Sequence, residues 1–294
     1  MKTKLTNKVL LYSLVAVIIV SSIAPFVWMV ISSISTDIEL LSTPPHWIPS
    51  SPIFDRYMAL LGIGGDRVVS RIGPSFQLSI TAFKCGVINS LLIGILATII
   101  CVVFGSLAAY AFARLKFWGR EKLSFILLGT RMTPPISTVI PLYLMIKALN
   151  LMDTRTALVI IYASSSLPIT IWVMGSFFQT VPKDIEDAAM IDGCSRLQAL
   201  VKTILPLSAP GFVAATIIAF LNSWNELFLA LIFTQSNASK TLPKVISEFS
   251  TAFAGIDYGL AMTGAVIATV PPILLALLGQ KYIVKGLMGG AVKG

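Results

Sequence analysis

The sequence predicts an all-α integral membrane protein with six spanning helices. Hydrophobic residues make up 56% of the 294 residues and the mean hydropathy is +0.87, whereas ordinary soluble domains are about 45–50% apolar. Apolar runs close to the roughly 20 residues that one spanning helix needs recur along the chain. Charged residues are only 12% of the total. A soluble core could not absorb repeated runs of this length, so a bilayer is the expected environment.

The first predicted span covers residues 9–34. Three lysines in the first eight residues precede it, and the run is longer than the 7–15 apolar residues of a cleavable signal. We therefore expect an uncleaved span. The polar segment that follows, residues 36–84, is expected to be an extramembrane loop with a short amphipathic helix around residues 54–61.

The topology follows from the remaining spans and the charges between them. The other five spans are expected at about residues 85–113, 123–146, 157–178, 210–233 and 259–283. The loop RLKFWGREK between the second and third spans is strongly basic, which places it in the cytoplasm by the positive-inside rule. Six spans then put both termini and the segment at residues 181–209 in the cytoplasm, and the loop at residues 36–84 outside. The chain is interpreted as one membrane domain, residues 1–294.

Composition argues against several other classes of protein. The net charge of +9 fits the loop charges of a membrane protein and does not imply nucleic-acid binding. The three cysteines are far apart, and His46 is the only histidine, so neither a disulfide framework nor a zinc site is supported. No G-x-x-x-x-G-K-[ST] run occurs, so the chain is not expected to hydrolyse ATP. No nucleophile and base pair suggests an enzyme.

The segment at residues 181–209 holds many charges for so apolar a chain. Pro182 fits the first turn of a helix, where its missing N–H costs nothing. Acidic residues follow at once, and their charge suits the positive end of the helix dipole. Gly193 supplies the left-handed residue on which helices commonly end. The pattern predicts a helix that ends at a glycine elbow.

A second short helix is predicted after the elbow. Ser195 and Gln198 form the S-x-x-Q pattern of a capping box, and the helix is expected to run to about Leu205, where Pro206 interrupts it. Charge alone also fits a solvated interfacial loop. The capping signals instead favour a stiff pair of helices outside the bilayer, joined directly to the fourth and fifth spans.

The spacing of this segment resembles the EAA loop of permease subunits in binding-protein-dependent ABC importers. The matching positions are Asp187-Ala188-Ala189, Gly193, Thr203 and Leu205-Pro206. Asp187 stands where the family usually has Glu, and Thr203 where it usually has Ile or Val. Glu186 keeps a longer carboxylate beside the first departure, and Ile204 keeps an apolar side chain beside the second.

The resemblance extends over nearly the whole chain and is closest to the carbohydrate-uptake branch, similar to the second permease of maltose- and trehalose-type transporters. The segments that carry it are NSLLIGILAT with AAYAFARLKFWGR, RMTPPISTVIPLY, DTRTALVIIYASSSLP, FFQTVPKDIEDAAMIDG and FLNSWNELFLAL. The segment GIGGDRVVSRIGPSFQ departs from the family and has no explanation from the sequence.

The resemblance implies a type I ABC importer permease fold in a bacterial or archaeal cell membrane and a sugar or related polyol as substrate. It also implies four partners: a second permease subunit, two ATPase subunits that carry ATP and Mg²⁺, and an extracytoplasmic solute-binding protein. This chain itself would bind no cofactor. The 181–209 segment would dock into a cleft on the ATPase, with Glu186 and Asp187 meeting basic groups. The expected coupling residues are Glu186, Asp187, Ala188, Ala189, Asp192, Gly193, Leu205 and Pro206.

Polar residues inside predicted spans are the candidates for a substrate pathway, because they are costly in hydrocarbon unless they face a cavity or a partner. The candidates are Asn222, Trp224, Asn225, Glu226 and Arg131, with Ser223 beside them. Amides, a carboxylate and an aromatic face suit sugar binding, but the same residues could fix helix packing. Arg131 could pair with Glu226 or with the backbone near Pro134 and Pro135. A secondary transporter driven by an ion gradient is the rival class, and Glu226 is its only candidate for ion coupling.

Overall fold

The computed structural model describes residues 2–64, 76–249 and 257–289, and every regular element in these ranges is a helix. The helices are α1 (Lys2–Ile34), α2 (Asp37–Leu40), α3 (Asp55–Leu61), α4 (Phe76–Arg114), α5 (Arg120–Thr130), α6 (Pro135–Ala148), α7 (Arg155–Thr180), α8 (Lys183–Ile191), α9 (Arg196–Leu207), α10 (Ala209–Trp224), α11 (Phe228–Phe233), α12 (Leu242–Phe249) and α13 (Tyr258–Gly289). Most of the unexplained insertion, part of the polar segment after α12 and the last residues of the tail lie outside the described residues.

Within the described ranges, four helices are long and apolar enough to cross a membrane. The candidate spans are Leu10–Ile34, Gln77–Arg114, Arg155–Thr180 and Tyr258–Tyr282. The number rises to six if each of two sharply bent helix pairs, α5 with α6 and α9 with α10, counts as one span. The all-α fold is therefore confirmed, and the described helices supply up to six spans, which differ from the prediction in three places. The second span begins at Gln77 rather than 85, so the end of the predicted 36–84 loop is helical.

The third predicted span, residues 123–146, is broken rather than straight. Helices α5 and α6 meet at 97°. Pro134 is the N-cap of α6 in an extended conformation, and Pro135 occupies the first turn. A residue that precedes proline is kept out of the α conformation, and proline itself is well tolerated at a helix start. The two prolines therefore end one helix direction and begin another.

The fifth predicted span, residues 210–233, is also divided. Helix α10 ends at Trp224 and α11 begins at Phe228, so the polar residues between them lie at a helix break. On the other side, α10 joins α9 at an angle of 87°. The sequence located both ends of this region but not the internal break.

One compact unit comprises residues 1–84 and 245–270. Its buried apolar side chains come from α3, α4, α12 and α13, and Phe83 stacks on Phe249 with ring centroids 6.2 Å apart. Arg56 is buried and donates to the Ser35 carbonyl at 2.7 Å and to Asp37 Oδ1 at 2.6 Å. Most side chains of α1 are exposed although they are apolar, as expected of a helix that faces lipid or another subunit.

The other compact unit comprises residues 85–244 and 271–294, and α7 is central to it. Helix α7 packs along α10 more extensively than any other described pair of helices, and the buried residues of α10 include Ala214, Ala215 and Ala219. Small residues let two helix backbones approach closely, which is the usual way that membrane helices associate. A second cluster joins Tyr110, Phe178, Leu200 and Ile204, so the 181–209 segment packs on the same core.

The polar loop after α11 is held by one aspartate. Asp153 Oδ1 accepts hydrogen bonds from the backbone N–H groups of Gln235 at 2.7 Å and Ser236 at 3.0 Å, and also from the Ser239 hydroxyl. Partial burial raises the pKa of the Asp153 carboxyl, but these hydrogen bonds lower it more, so its pKa lies below the ordinary value. A carboxyl with a depressed pKa stabilises the fold above its ordinary pKa and loses that contribution as the pH falls.

Replacement of this aspartate is therefore expected to loosen the loop. In Asp153→Asn, we expect faster hydrogen exchange at the Gln235 and Ser236 amides at pH 7, because a charged acceptor is replaced by a neutral one. In the wild-type protein the same protection should begin to decline as the pH falls below about 4, the ordinary pKa of Asp, and should be lost only as the pH falls through the depressed pKa of the folded state. Asp184→Asn, at an exposed position, is the control. Equal exchange rates of the Gln235 and Ser236 amides in the two variants would contradict the role of Asp153 in holding this loop.

Candidate coupling segment and polar residues of the spans

The 181–209 segment has the predicted order of helix, glycine elbow and helix. Pro182 is the N-cap of α8 rather than part of its first turn. Gly193 follows α8 with φ +90°, a conformation that favours glycine. A capping box then starts α9: Ser195 N–H donates to Gln198 Oε1 at 2.8 Å, and Gln198 N–H donates to Ser195 Oγ at 3.3 Å. The order of elements in this segment therefore agrees with its local sequence signals.

Pro206 does not end α9 where the sequence suggested. The helix continues to Leu207, and its middle portion, Leu200–Ile204, is a π-helix. Proline has no N–H to donate and its ring crowds the carbonyl four residues earlier, and a π-helical turn widens the backbone at that point. The interruption by Pro206 is therefore absorbed inside the helix, and the chain turns into α10 only after Leu207.

Glu186 is the residue that attaches α8 to the rest of the unit. Its side chain is buried, with 4% of its surface exposed. Its Oε1 accepts a hydrogen bond from the Tyr110 hydroxyl, and its Oε2 lies 3.1 Å from Arg114 Nε, as an ion pair without the alignment of a hydrogen bond. Glu186 therefore does not lie on the free surface of the segment, contrary to the expectation that it meets basic groups of another subunit.

Arg114 makes this attachment two-sided. Its Nη2 atom donates to the Val181 carbonyl at 2.6 Å, so one side chain at the end of α4 contacts both the C-cap residue of α7 and the carboxylate within α8. Buried ion pairs need such additional hydrogen bonds to offset the cost of desolvation. These contacts tie α8 to the end of α4, and the segment is covalently joined to α7 and α10.

The other predicted coupling residues lie at or near the surface. Ala188, Asp192, Gly193 and Pro206 are exposed, while Asp187, Ala189 and Leu205 are half-buried. Large apolar side chains lie among them: Ile191 is 86% exposed, Leu197 58% and Val201 54%. Exposed apolar groups beside charged ones are typical of a surface that another protein covers.

The polar residues of the spans separate into two groups. Ser223 and Trp224 are buried; Ser223 donates to the Ala219 carbonyl at 3.1 Å, and Trp224 stacks on Phe220 at 5.7 Å. Asn222 and Asn225 are exposed. The predicted pathway residues of this region are therefore partly packing residues and partly available surface.

Glu226 caps a helix. Its carboxylate oxygens accept from the N–H groups of Leu229 at 2.9 Å and Ala230 at 3.2 Å, which are among the unpaired donors at the start of α11. Arg131 donates to the Ser165 carbonyl of α7 at 2.9 Å. Among the contacts of the described residues, Arg131 and Glu226 thus have separate partners, and no ion pair joins them. The backbone that Arg131 contacts is in α7 and not beside Pro134.

The sequence did not identify Tyr110, Arg114 or the hydroxyls of Ser164 and Ser165 as parts of a site. Arg114 was visible only as one charge of a basic loop, although its position at the end of a span, before a cytoplasmic segment with a carboxylate, was a usable signal. The three consecutive serines of α7 in the middle of an apolar span were another.

A chain of several apolar spans, two of which are joined by a pair of short helices that is ion-paired to the end of a third span, has the architecture of a multi-pass membrane permease subunit. The comparison with protein families agrees: the chain belongs to the family described as binding-protein-dependent transport system inner membrane component, whose model matches residues 101–289.

Curated relatives and solved structures agree with this family. The trehalose/maltose transport system permease protein MalG of Thermococcus litoralis is 35% identical over the full length of both chains. The trehalose transport system permease protein SugB of Mycobacterium tuberculosis is 40% identical over 84% of each. The crystal structure of a bacterial ABC transporter that imports the acidic polysaccharide alginate aligns with a TM-score of 0.75 at 20% identity, over 96% of this chain and 98% of that one. The fold is that of an ABC importer permease.

Proposed function

We propose that this chain is the membrane-spanning subunit of an ATP-driven importer that carries a disaccharide, an oligosaccharide or a related polyol into the cytoplasm. Membership of a family of binding-protein-dependent permeases supports the importer, and relatives named for trehalose and maltose transport support the substrate class. The observation that carries the coupling role is the 181–209 segment, which is rigidly attached on one side and exposes apolar and acidic groups on the other.

Coupling would work through this segment. The surface formed by Asp187, Ala188, Asp192, Gly193 and the exposed Ile191 would dock into a cleft of an ATPase subunit. Glu186 would act behind that surface as a positioning residue, because it ties α8 to the end of α4. Closure of the ATPase subunits would then move α4, α7 and α10 together, and alternating access is a rigid-body movement of this kind.

The proposed partners would supply the parts of an importer that this chain is not expected to provide. We infer that ATP and Mg²⁺ bind to two separate ATPase subunits, and that this chain binds no cofactor of its own. A second permease subunit would complete the pathway, and an extracytoplasmic solute-binding protein would deliver the sugar. The basic loop after α4 supports a cytoplasmic position for both termini and for the 181–209 segment, in a bacterial or archaeal cell membrane.

The proposed assembly is tested by co-purification. The tagged chain, expressed together with the products of neighbouring reading frames, is expected to retain an ATPase subunit and a second six-span protein through detergent purification. A chain that purifies alone, and that still transports when reconstituted alone, would instead support the secondary transporter driven by an ion gradient. The family membership does not favour that alternative.

A further inference from the structure

A cavity of about 580 Å³ lies inside the larger compact unit, where α5 and α6 meet against α7. This volume is within the range of about 300–1,000 Å³ that is usual for small-molecule sites. Its polar lining consists of Thr130, Arg131, Thr133, Thr138, Ser164 and Ser165. The cavity lies at the 97° bend between α5 and α6, and Pro135 and Pro141 are among its lining residues.

Ser164 and Ser165 of the polar lining lie well inside the candidate span Arg155–Thr180. Ser164 comes nine residues after Arg155, the first residue of α7, and a helix rises about 1.5 Å per residue, so it lies about 14 Å along a span. The hydrocarbon core is about 30 Å thick, so a span that enters it at Arg155 would carry Ser164 near its middle. Ser164, Ser165 and Arg131 are all exposed in this chain. Polar groups at this depth are costly against lipid and characteristically face a cavity.

The hydrogen bonds of the lining give it a definite chemical preference. The hydroxyls of Thr130, Thr138 and Ser164 donate to carbonyls of their own helices at 2.7, 2.9 and 2.8 Å. Their donor capacity is thus used, while their oxygens can still accept. Arg131 uses one guanidinium nitrogen on the Ser165 carbonyl, and a guanidinium carries five N–H donors. The cavity therefore offers several acceptors and one strong donor group.

We propose that this cavity holds the hydroxyl-rich part of the sugar during its passage. Sugar hydroxyls would donate to Thr130, Thr138 and Ser164, and Arg131 would donate to a sugar oxygen. The apolar lining, Leu142 and Met145 among others, would pack on the C–H faces of the ring. The positive charge of Arg131 opposes a cation in the same place. This inference rests on the proposed function and adds a contact site within this chain.

The test is made in the assembled importer, reconstituted with its binding protein and ATPase subunits. For the double variant Thr138→Val with Ser164→Ala, uptake of labelled trehalose or maltose at saturating binding protein should fall about tenfold. ATP hydrolysis should change less than twofold, because the coupling segment is intact. Arg131→Gln should likewise lower uptake while ATP hydrolysis changes less than twofold. Thr216→Val is the control: it removes a hydroxyl that bonds to the Phe212 carbonyl within α10, away from the cavity.

Each outcome discriminates. Variants that keep the uptake of the Thr216→Val control would overturn the cavity as a sugar contact. A parallel loss of uptake and ATP hydrolysis would overturn it too, because the residues would then be structural. Failure of the wild-type importer to take up either disaccharide would contradict the proposed function itself, which keeps the two failures distinguishable.

Discussion

Gly193→Asp is expected to abolish the capture of ATPase subunits while the chain itself remains folded. Gly193 has φ +90°, and a Cβ atom placed there meets no atom within 4 Å. The cost inside the chain is therefore only that of a left-handed backbone, about 1–2 kcal/mol. Outside the chain, an added carboxylate would project from the elbow into the surface that we assign to ATPase docking. The measurement is the amount of ATPase subunit that co-purifies with each variant.

Gly119→Asp provides a matched control. Gly119 has φ +81°, and it too has open space where a Cβ would lie, so the same substitution carries a similar backbone cost in a different loop. We expect Gly119→Asp to retain the ATPase subunit. Equal retention by the two variants would show that the elbow does not touch the ATPase.

Glu186→Ala is expected to destabilise the permease by about 3–5 kcal/mol, the usual cost of removing one partner of a buried ion pair. The substitution leaves Arg114, whose side chain is 9% exposed, without its carboxylate and also removes the acceptor of the Tyr110 hydroxyl. Tyr110→Phe removes only that one hydrogen bond to a charged group and should cost about 1.5–3 kcal/mol. Thermal unfolding of the purified chain in detergent measures both.

Asp184→Ala is the control for this pair of variants. Asp184 is an exposed acidic residue on the same helix, and surface substitutions usually change stability by less than about 0.5 kcal/mol. If Glu186→Ala and Asp184→Ala unfolded at the same temperature, the buried carboxylate would not be what attaches α8 to α4.

The 181–209 segment could be predicted from the sequence to a large extent because its signals are local. A capping box, a glycine elbow and an acidic first turn act within a few residues, and each has the expected structure. The burial of Glu186 could not be predicted in this way, because it depends on Tyr110 and Arg114, more than 70 residues earlier in the chain. From local sequence, Glu186 and Asp187 are equivalent acids, and only tertiary packing makes one an anchor and leaves the other near the surface.

For the spans, too, the sequence predicted some features and not others. Hydropathy located the apolar segments, since a bilayer selects for length and composition. It did not reveal that the third span bends by 97°, although both prolines were visible, because neighbouring helices decide whether a proline pair kinks a helix or redirects it. The partners of Arg131 and Glu226 could not be predicted from the sequence either. Each side chain bonds to backbone groups that only a broken helix or an adjacent helix presents.

The most direct test of the central claim is uptake of labelled trehalose or maltose by proteoliposomes that contain this chain, its second permease and its ATPase subunits, with binding protein outside. We predict uptake that requires ATP inside, persists when ion gradients are collapsed and is lost in Gly193→Asp but not in Gly119→Asp. Uptake that continues without ATP and stops when the ion gradient is collapsed would contradict the account.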